Sequence, residues 1–239
     1  NKGALRNAIK SIAPFVVDDQ LIIVKSTVSP YSTENEVAKP LRKKANVFVS
    51  FCPERLSEGN AINDCKTIPV VVGGVDEESS NRSLEFWKRY LGVDCILLEN
   101  ARAAELVKLA DNTWIDLNIA LAFELAKIAD KLDVDVLPII KAANSLPKGA
   151  SNVNILLPSV GVGGYCLTKD PAFAEYSSKH IYGTNLKFPF GELALKNNKQ
   201  MPYDAFNKIK LIFKNNLVRK KILICGITYK EDVGDTRES

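Results

Sequence analysis

Three glycines within four positions, Gly161, Gly163 and Gly164, lead into a cysteine, Cys166, that lies close to the pair Lys169-Asp170. Glycine lets a backbone turn tightly and come near a ligand, so the run from Gly161 to Asp170 suits the presentation of a reactive thiol. The thiolate is the nucleophilic form, a neighbouring cation favours it, and a nearby carboxylate can take or return protons. The competing reading is a small buried hydrophobe in a Gly-rich turn before a helix. The polar neighbours favour the functional one.

Two further groups accompany the cysteine. Lys108 and Asn112 are four apart on a segment of helical periodicity and therefore share a face, where an ammonium and an amide could stabilise an oxyanion. A solvated helix face carrying Glu105, Lys108 and Asp111 fits that spacing as well. Thr27, Glu54 and Glu58 each follow an apolar run that reads as a strand. Open α/β sheets bind ligands at the carboxyl ends of their strands, so a hydroxyl and carboxylates there could hold or activate a water; a helix cap or a surface position is the alternative for each. Near the end of the chain, Lys230 and Arg237 could hold phosphate or sugar oxygens, or decorate a solvated loop. His180, the only histidine, has no sequence partner for catalysis and reads as structural.

The elements that must position these groups follow from periodicity. Helices are expected over residues 2–12 and 77–90, and strands over 21–24, 47–51, 68–72 and 95–98. Strands alternating with helices predict an α/β fold with a parallel sheet. From Ala101 the pattern becomes helical without Gly or Pro until Pro138, which predicts one helix of about thirty residues, ~45 Å long, suited to a domain spine or a dimer interface. A shorter helix is expected over 137–143, with Pro138 in its first turn. Helical segments should start near Pro171 and Pro202, and a strand over 220–226 should open a new α/β unit.

With 239 residues, 46% of them hydrophobic, the chain can bury a sizeable core as one large domain or two smaller ones. No apolar run approaches a membrane span and no leader pattern opens the chain, so a soluble, cytoplasmic protein is expected. Five widely spaced cysteines without a CxxC pair suggest reduced thiols, neither a disulfide framework nor a zinc site. The net charge of +4 is dispersed, with no basic face interleaved with aromatics, which argues against nucleic-acid binding and is compatible with an anionic small substrate. Neither GxGxxG nor GxxxxGKS/T occurs. A start at Asn1, with Met201 the only methionine, leads us to expect a fragment of a longer protein.

Several motifs in one order resemble the UDP-glucose/GDP-mannose dehydrogenase family across essentially the whole chain. They are Lys25-Ser26-Thr27-Val28, Pro53-Glu54 with Glu58-Gly59, Ala104-Glu105-Leu106 with Lys108 and Asn112, Gly163-Gly164 with Cys166 and Lys169-Asp170, and Gly234-Asp235-Thr236-Arg237-Glu238-Ser239. The version Cys52-Pro53-Glu54-Arg55 looks more like the branch acting on UDP-N-acetylhexosamines, UDP-N-acetylmannosamine in particular, than the UDP-glucose branch.

The resemblance implies NAD as cofactor and a four-electron oxidation of a sugar alcohol to a uronic acid for polysaccharide biosynthesis. Cys166 would carry a thiohemiacetal and then a thioester. Lys108 and Asn112 would stabilise oxyanions, Asp170 would assist proton transfer, and Glu54 with Thr27 would position water. Thr27, Glu58, Lys169 and Arg237 would lie near the cofactor; Glu54, Arg55, Glu58, Lys108, Asn112, Gly163 and Lys230 would meet the UDP-sugar. It further implies the C-terminal part of an NAD-binding Rossmann-like domain (1–100), a central helical domain dimerising through its long helix (101–218), and the start of a UDP-binding domain (219–239). Family members tend to carry an arginine shortly before the Gly-rich run; here Asn152 falls near that place and the nearest cation is Lys148. A non-catalytic dimerisation module and a single-step β-hydroxyacid-type dehydrogenase are the competing functions.

Overall fold

A computed structural model describes residues 2–181 and 183–239. The chain divides into two compact units, Asn1–Ala110 with Phe173–Leu186, and Asp111–Ala172 with Lys187–Ser239.

The first unit is built on a four-stranded sheet of β1 (Leu21–Val24), β2 (Phe48–Phe51), β3 (Val70–Gly74) and β4 (Cys95–Leu97), in that spatial order. Around it lie α1 (Lys2–Ile12), a π-helical turn (Thr33–Ala38) running into α2 (Lys39–Arg42), α3 (Ala61–Thr67) and α4 (Glu77–Leu91). Helix α4 starts where Asp76 accepts a hydrogen bond from the Ser79 N–H at 2.8 Å, and stops at Gly92, whose φ of 64° few other residues adopt. Val37, Leu41, Val47, Val49 and Phe51 are fully buried in the core. Each such side chain contributes about 1.5–3 kcal/mol. Exposed ion pairs such as Arg82–Asp19 contribute roughly 0–1 kcal/mol, so apolar burial decides the stability of this unit.

The sheet departs from the expected all-parallel arrangement. β1–β2 and β3–β4 are parallel, but β2 and β3 pair antiparallel through Ser50↔Gly74 and Phe51↔Gly73. A parallel pairing needs a crossover that returns the chain to the starting edge. Between β2 and β3 the chain forms the seven-residue α3 without such a return, and β3 runs in the opposite direction. Gly73 is needed here: a Cβ would lie 2.3 Å from the Asn100 carbonyl oxygen and 2.9 Å from the Ala104 Cβ.

The long helix is present as α5 (Ala101–Lys131), its first ten residues belonging to the first unit and the rest to the second. It is followed by α6 (Val136–Ala143), capped by Asp135, and by a short hairpin of β5 (Pro147–Lys148) and β6 (Ser151–Asn152). A 3₁₀ turn at Asp170–Ala172 precedes α7 (Phe173–His180), where His180 stacks on Tyr176 at 4.6 Å. The last helix is α8 (Pro189–Ile212).

Two expectations for the second unit are corrected. Helix α8 does not begin near Pro202 but at Pro189, with Pro202 inside it. Proline at the first helical turn is a start signal, whereas an internal proline costs a helix about 3 kcal/mol. Burial of the apolar Met201 and Ala194 on the same helix offsets part of that cost. Residues 220–226 form no strand, and Leu223 and Ile224 are exposed. A strand is completed by ladder hydrogen bonds, and among the described residues no strand pairs with this apolar run.

Candidate active site

In the second unit the run Gly161–Asp170 folds as a set of linked turns. Gly164 adopts φ 80°, and its N–H donates to the Arg237 carbonyl at 3.0 Å. Gly163 faces Tyr229 so closely that a Cβ would lie 2.3 Å from the tyrosine Cβ. The Cys166 carbonyl accepts from the N–H groups of Lys169 (3.2 Å) and Asp170 (2.9 Å), which closes the turn carrying the thiol. Cys166 is exposed, whereas Cys52 is buried and Cys65 and Cys95 are half-buried. The reading of Cys166 as a buried small hydrophobe is therefore excluded.

Behind this turn lies a polar cluster. Asp170 is fully buried; one carboxylate oxygen accepts from the Asn112 amide at 2.6 Å and the other from the Lys169 ammonium at 2.5 Å. A buried charge is tolerated only when paired and hydrogen-bonded, and both oxygens here are satisfied. The Tyr165 ring takes Lys169 on its face at 4.8 Å and the Arg237 guanidinium at 5.4 Å. Arg237 also forks onto Asp235, whose carboxyl those hydrogen bonds hold down to about 2. Asn112, Asp170, Lys169, Gly163 and Arg237 thus stand in one neighbourhood with Cys166. Lys230 is exposed on the same C-terminal segment.

In the first unit, the ends of the parallel strands β1 and β2 bring Lys25 and Glu54 together. Cys52 N–H donates to the Val24 carbonyl at 2.9 Å, Glu54 N–H to the Lys25 carbonyl at 3.3 Å, and the side chains pair at 3.6 Å. The Lys25 ammonium also lies 4.9 Å from the Trp87 ring centre. Thr27 is half-buried just beyond β1. Arg55 reaches the Pro69 carbonyl at 3.4 Å, and Glu58 is exposed. Lys108 lies half-buried on α5, one turn before Asn112.

Glu105 corrects the alternative of a solvated face for this part of α5. It is fully buried and accepts from Tyr31 N–H (2.7 Å), Thr33 N–H (2.8 Å) and the Thr33 hydroxyl (2.7 Å). These bonds hold the loop that carries Thr27, including Tyr31 at φ 68°, a conformation that costs about 1–2 kcal/mol outside glycine. Burial pushes the Glu105 carboxyl up to about 7 against the opposing pull of its donors. Asp116, also fully buried, is raised to about 7 by burial and bonds the Asn198 amide of α8. Neither buried carboxylate was singled out for this role by sequence reasoning. Their only signal was an acidic residue inside an otherwise apolar helical stripe. Among the described residues no cluster of His, Cys, Asp and Glu could hold a metal ion, and no helix is long and apolar enough to cross a membrane.

Comparison with known proteins yields a consistent set of likenesses. The family model described as UDP-glucose/GDP-mannose dehydrogenase family, NAD binding domain, matches residues 2–91, and that family's central-domain model matches residues 102–200. A UDP-N-acetyl-D-mannosamine dehydrogenase of Methanocaldococcus jannaschii is 40% identical over 235 residues, covering 98% of this chain and 52% of the relative. The structure of a UDP-D-ManNAc dehydrogenase from Pyrococcus horikoshii superposes with a TM-score of 0.88 at 30% identity, covering 100% of this chain and 56% of that one. An NDP-N-acetyl-D-galactosaminuronic acid dehydrogenase from Methanosarcina mazei follows at TM-score 0.82 and 28% identity, covering 100% and 53%. The chain spans about half the length of these relatives.

Proposed function

The chain belongs to the UDP-glucose/GDP-mannose dehydrogenase family, and from that premise we propose that it takes part in the NAD-dependent oxidation of a UDP-N-acetylhexosamine, UDP-N-acetylmannosamine first among them, at carbon 6 to the uronic acid. The observation that carries this reading is the exposed Cys166 on a turn whose base is the buried Asn112–Asp170–Lys169 cluster. A single-step dehydrogenase would need no exposed thiol backed by such a cluster.

The residues present suit a dinucleotide. In the first unit, the hydroxyl of Thr27, just beyond a strand of the parallel β1–β2 pair, and the carboxylate of Glu58 offer partners for ribose hydroxyls. The family resemblance adds Lys169 and Arg237 as cations near the cofactor. NAD, when bound, accepts a hydride in each of the two oxidations.

The chain's own groups do the rest. The Cys166 thiolate adds to the carbonyl carbon of the aldehyde, forming a C–S bond. After the second oxidation that carbon is a thioester, and water cleaves the C–S bond to release the carboxylate and the thiol. The Asn112 amide and the Lys108 ammonium stabilise the oxyanions at these steps, and Asp170 relays protons. Glu54, with Thr27, orients the water, while Arg55, Glu58, Gly163 and Lys230 contact the UDP-sugar.

The residue ranges 1–100, 101–218 and 219–239 are the proposed NAD-binding, central and UDP-binding portions, and the cytoplasm, where UDP-sugars are made, is the proposed location. A homodimer through α5 is supported by Trp114, Leu121 and Ile128, exposed and spaced by seven on one stripe.

The test is the number of NADH formed per sugar by the protein that carries this chain. Two per UDP-N-acetylmannosamine, abolished in Cys166→Ser, is the expected result. One per sugar with Cys166→Ser unaffected would overturn the thioester route, and two with UDP-glucose alone would reassign the substrate.

A further inference from the structure

Between the β5–β6 hairpin and Gly161 the chain runs from Val153 to Val160 without helix or strand. Part of this stretch walls an open groove of about 480 Å³ against α6, so packing on that side does not fix it. Its backbone is instead held by two side-chain amides. Asn118 of α5 donates to the Asn154 carbonyl at 2.7 Å and accepts from the Leu156 N–H at 2.8 Å. Asn144, just past α6, donates to the Ile155 carbonyl at 2.9 Å and accepts from the Ile155 N–H at 2.7 Å.

Each amide turns one N–H and its oxygen to the backbone, which is what one rung of a β-ladder offers. In extended backbone, the N–H and C=O of residue 155 point to one edge, while the C=O of 154 and the N–H of 156 point to the other. The two asparagines therefore grip opposite edges. Such a clamp fixes both the position of residues 154–156 and their rotation about the chain axis. A single contact would leave that rotation free.

We propose that Asn118 and Asn144 are positioning residues for Cys166: by clamping residues 154–156 they set the approach of the Gly161–Asp170 turn and hold the thiol in register for attack. The inference rests on Cys166 being the nucleophile. The effect is one of leverage. From Leu156 to Cys166 the chain carries three glycines and no regular element, so angular freedom at 154–156 passes on to the turn. The Asn112–Asp170 bond and the Gly164 N–H bond to the Arg237 carbonyl hold the turn itself, and the clamp fixes the chain that leads into it.

The test uses Asn118→Asp and Asn144→Asp, each of which keeps an acceptor and removes the donor. Hydrogen exchange of the chain should quicken about fivefold at Ile155 and Leu156: each N–H keeps its acceptor, but losing the bond to the Asn154 or Ile155 carbonyl removes about one net hydrogen bond from the clamp. It should also quicken at Gly164, Lys169 and Asp170, while the amides of α5 keep their rates. In the protein that carries this chain, kcat should fall about tenfold or more with KM for the UDP-sugar unchanged, the sign of a misplaced reacting group.

Faster exchange confined to Ile155 and Leu156, or kcat unchanged in both variants, overturns the proposal. If either aspartate loosens the whole unit, Asn144→Gln, which keeps both amide groups, is read against the same two outcomes. Unchanged turnover in Cys166→Ser would instead refute the nucleophile assignment, with the exchange pattern still reporting on the clamp.

Discussion

Replacing Glu105 by glutamine tests the account of the first unit most directly. The carboxylate satisfies three donors, Tyr31 N–H, Thr33 N–H and the Thr33 hydroxyl, in a fully buried position. Burial nonetheless raises its pKa from 4.5 to about 7. A carboxyl with a raised native pKa binds more protons folded than unfolded. Its contribution to stability is therefore complete below pH about 4.5 and is lost as pH rises through about 7. At roughly 1.4 kcal/mol per unit, the loss across that window is on the order of 3 kcal/mol.

Glutamine cannot ionise, so Glu105→Gln removes this slope. Its NH₂ must also face an N–H that previously met an oxygen, which costs about 1–3 kcal/mol. The variant should be less stable than the parent at pH 5 and should close the gap by pH 8. Urea unfolding at four pH values, followed by exchange of the Tyr31 and Thr33 amides, reads both effects. A gap that widens as pH rises, or an unchanged slope in the variant, would show that the donors outweigh burial and refute the reasoning.

Two further outcomes follow from packing and burial. In Gly73→Ala the new methyl would lie 2.3 Å from the Asn100 carbonyl, a backbone atom at the start of α5. The urea midpoint should drop by the equivalent of about 1–3 kcal/mol or more, with β3 and the first turn of α5 losing exchange protection together. Asp116 carries a raised pKa for the same reason as Glu105. Asp116→Asn should flatten the decline in stability of the second unit between pH about 4 and 7, and melting at pH 5 and pH 8 measures it.

Periodicity and turn chemistry are local, and what depends on them was legible in the sequence. The bounds of α1, α4, α5 and α6 and the placing of β1 and β2 follow from apolar spacing, caps and breakers within a few residues. The turn carrying Cys166 follows from its glycines, and the order of short motifs placed the chain in its family.

Tertiary structure decided whatever needed a partner far along the chain. Glu105, an acidic residue in the stripe of Ala101, Ala104 and Leu109, can be buried because the backbone at Tyr31 and Thr33, more than seventy residues away, supplies its donors. Asp116 meets Asn198 across 82 residues, and Asn118 meets Asn154 across 36. The direction of β3 and the absence of a strand at 220–226 depend on which neighbour a strand finds, because backbone donors and acceptors are satisfied only by pairing. Local pattern determines which elements form. Their burial, and the pairing of their polar groups, follow from what the rest of the chain brings against them.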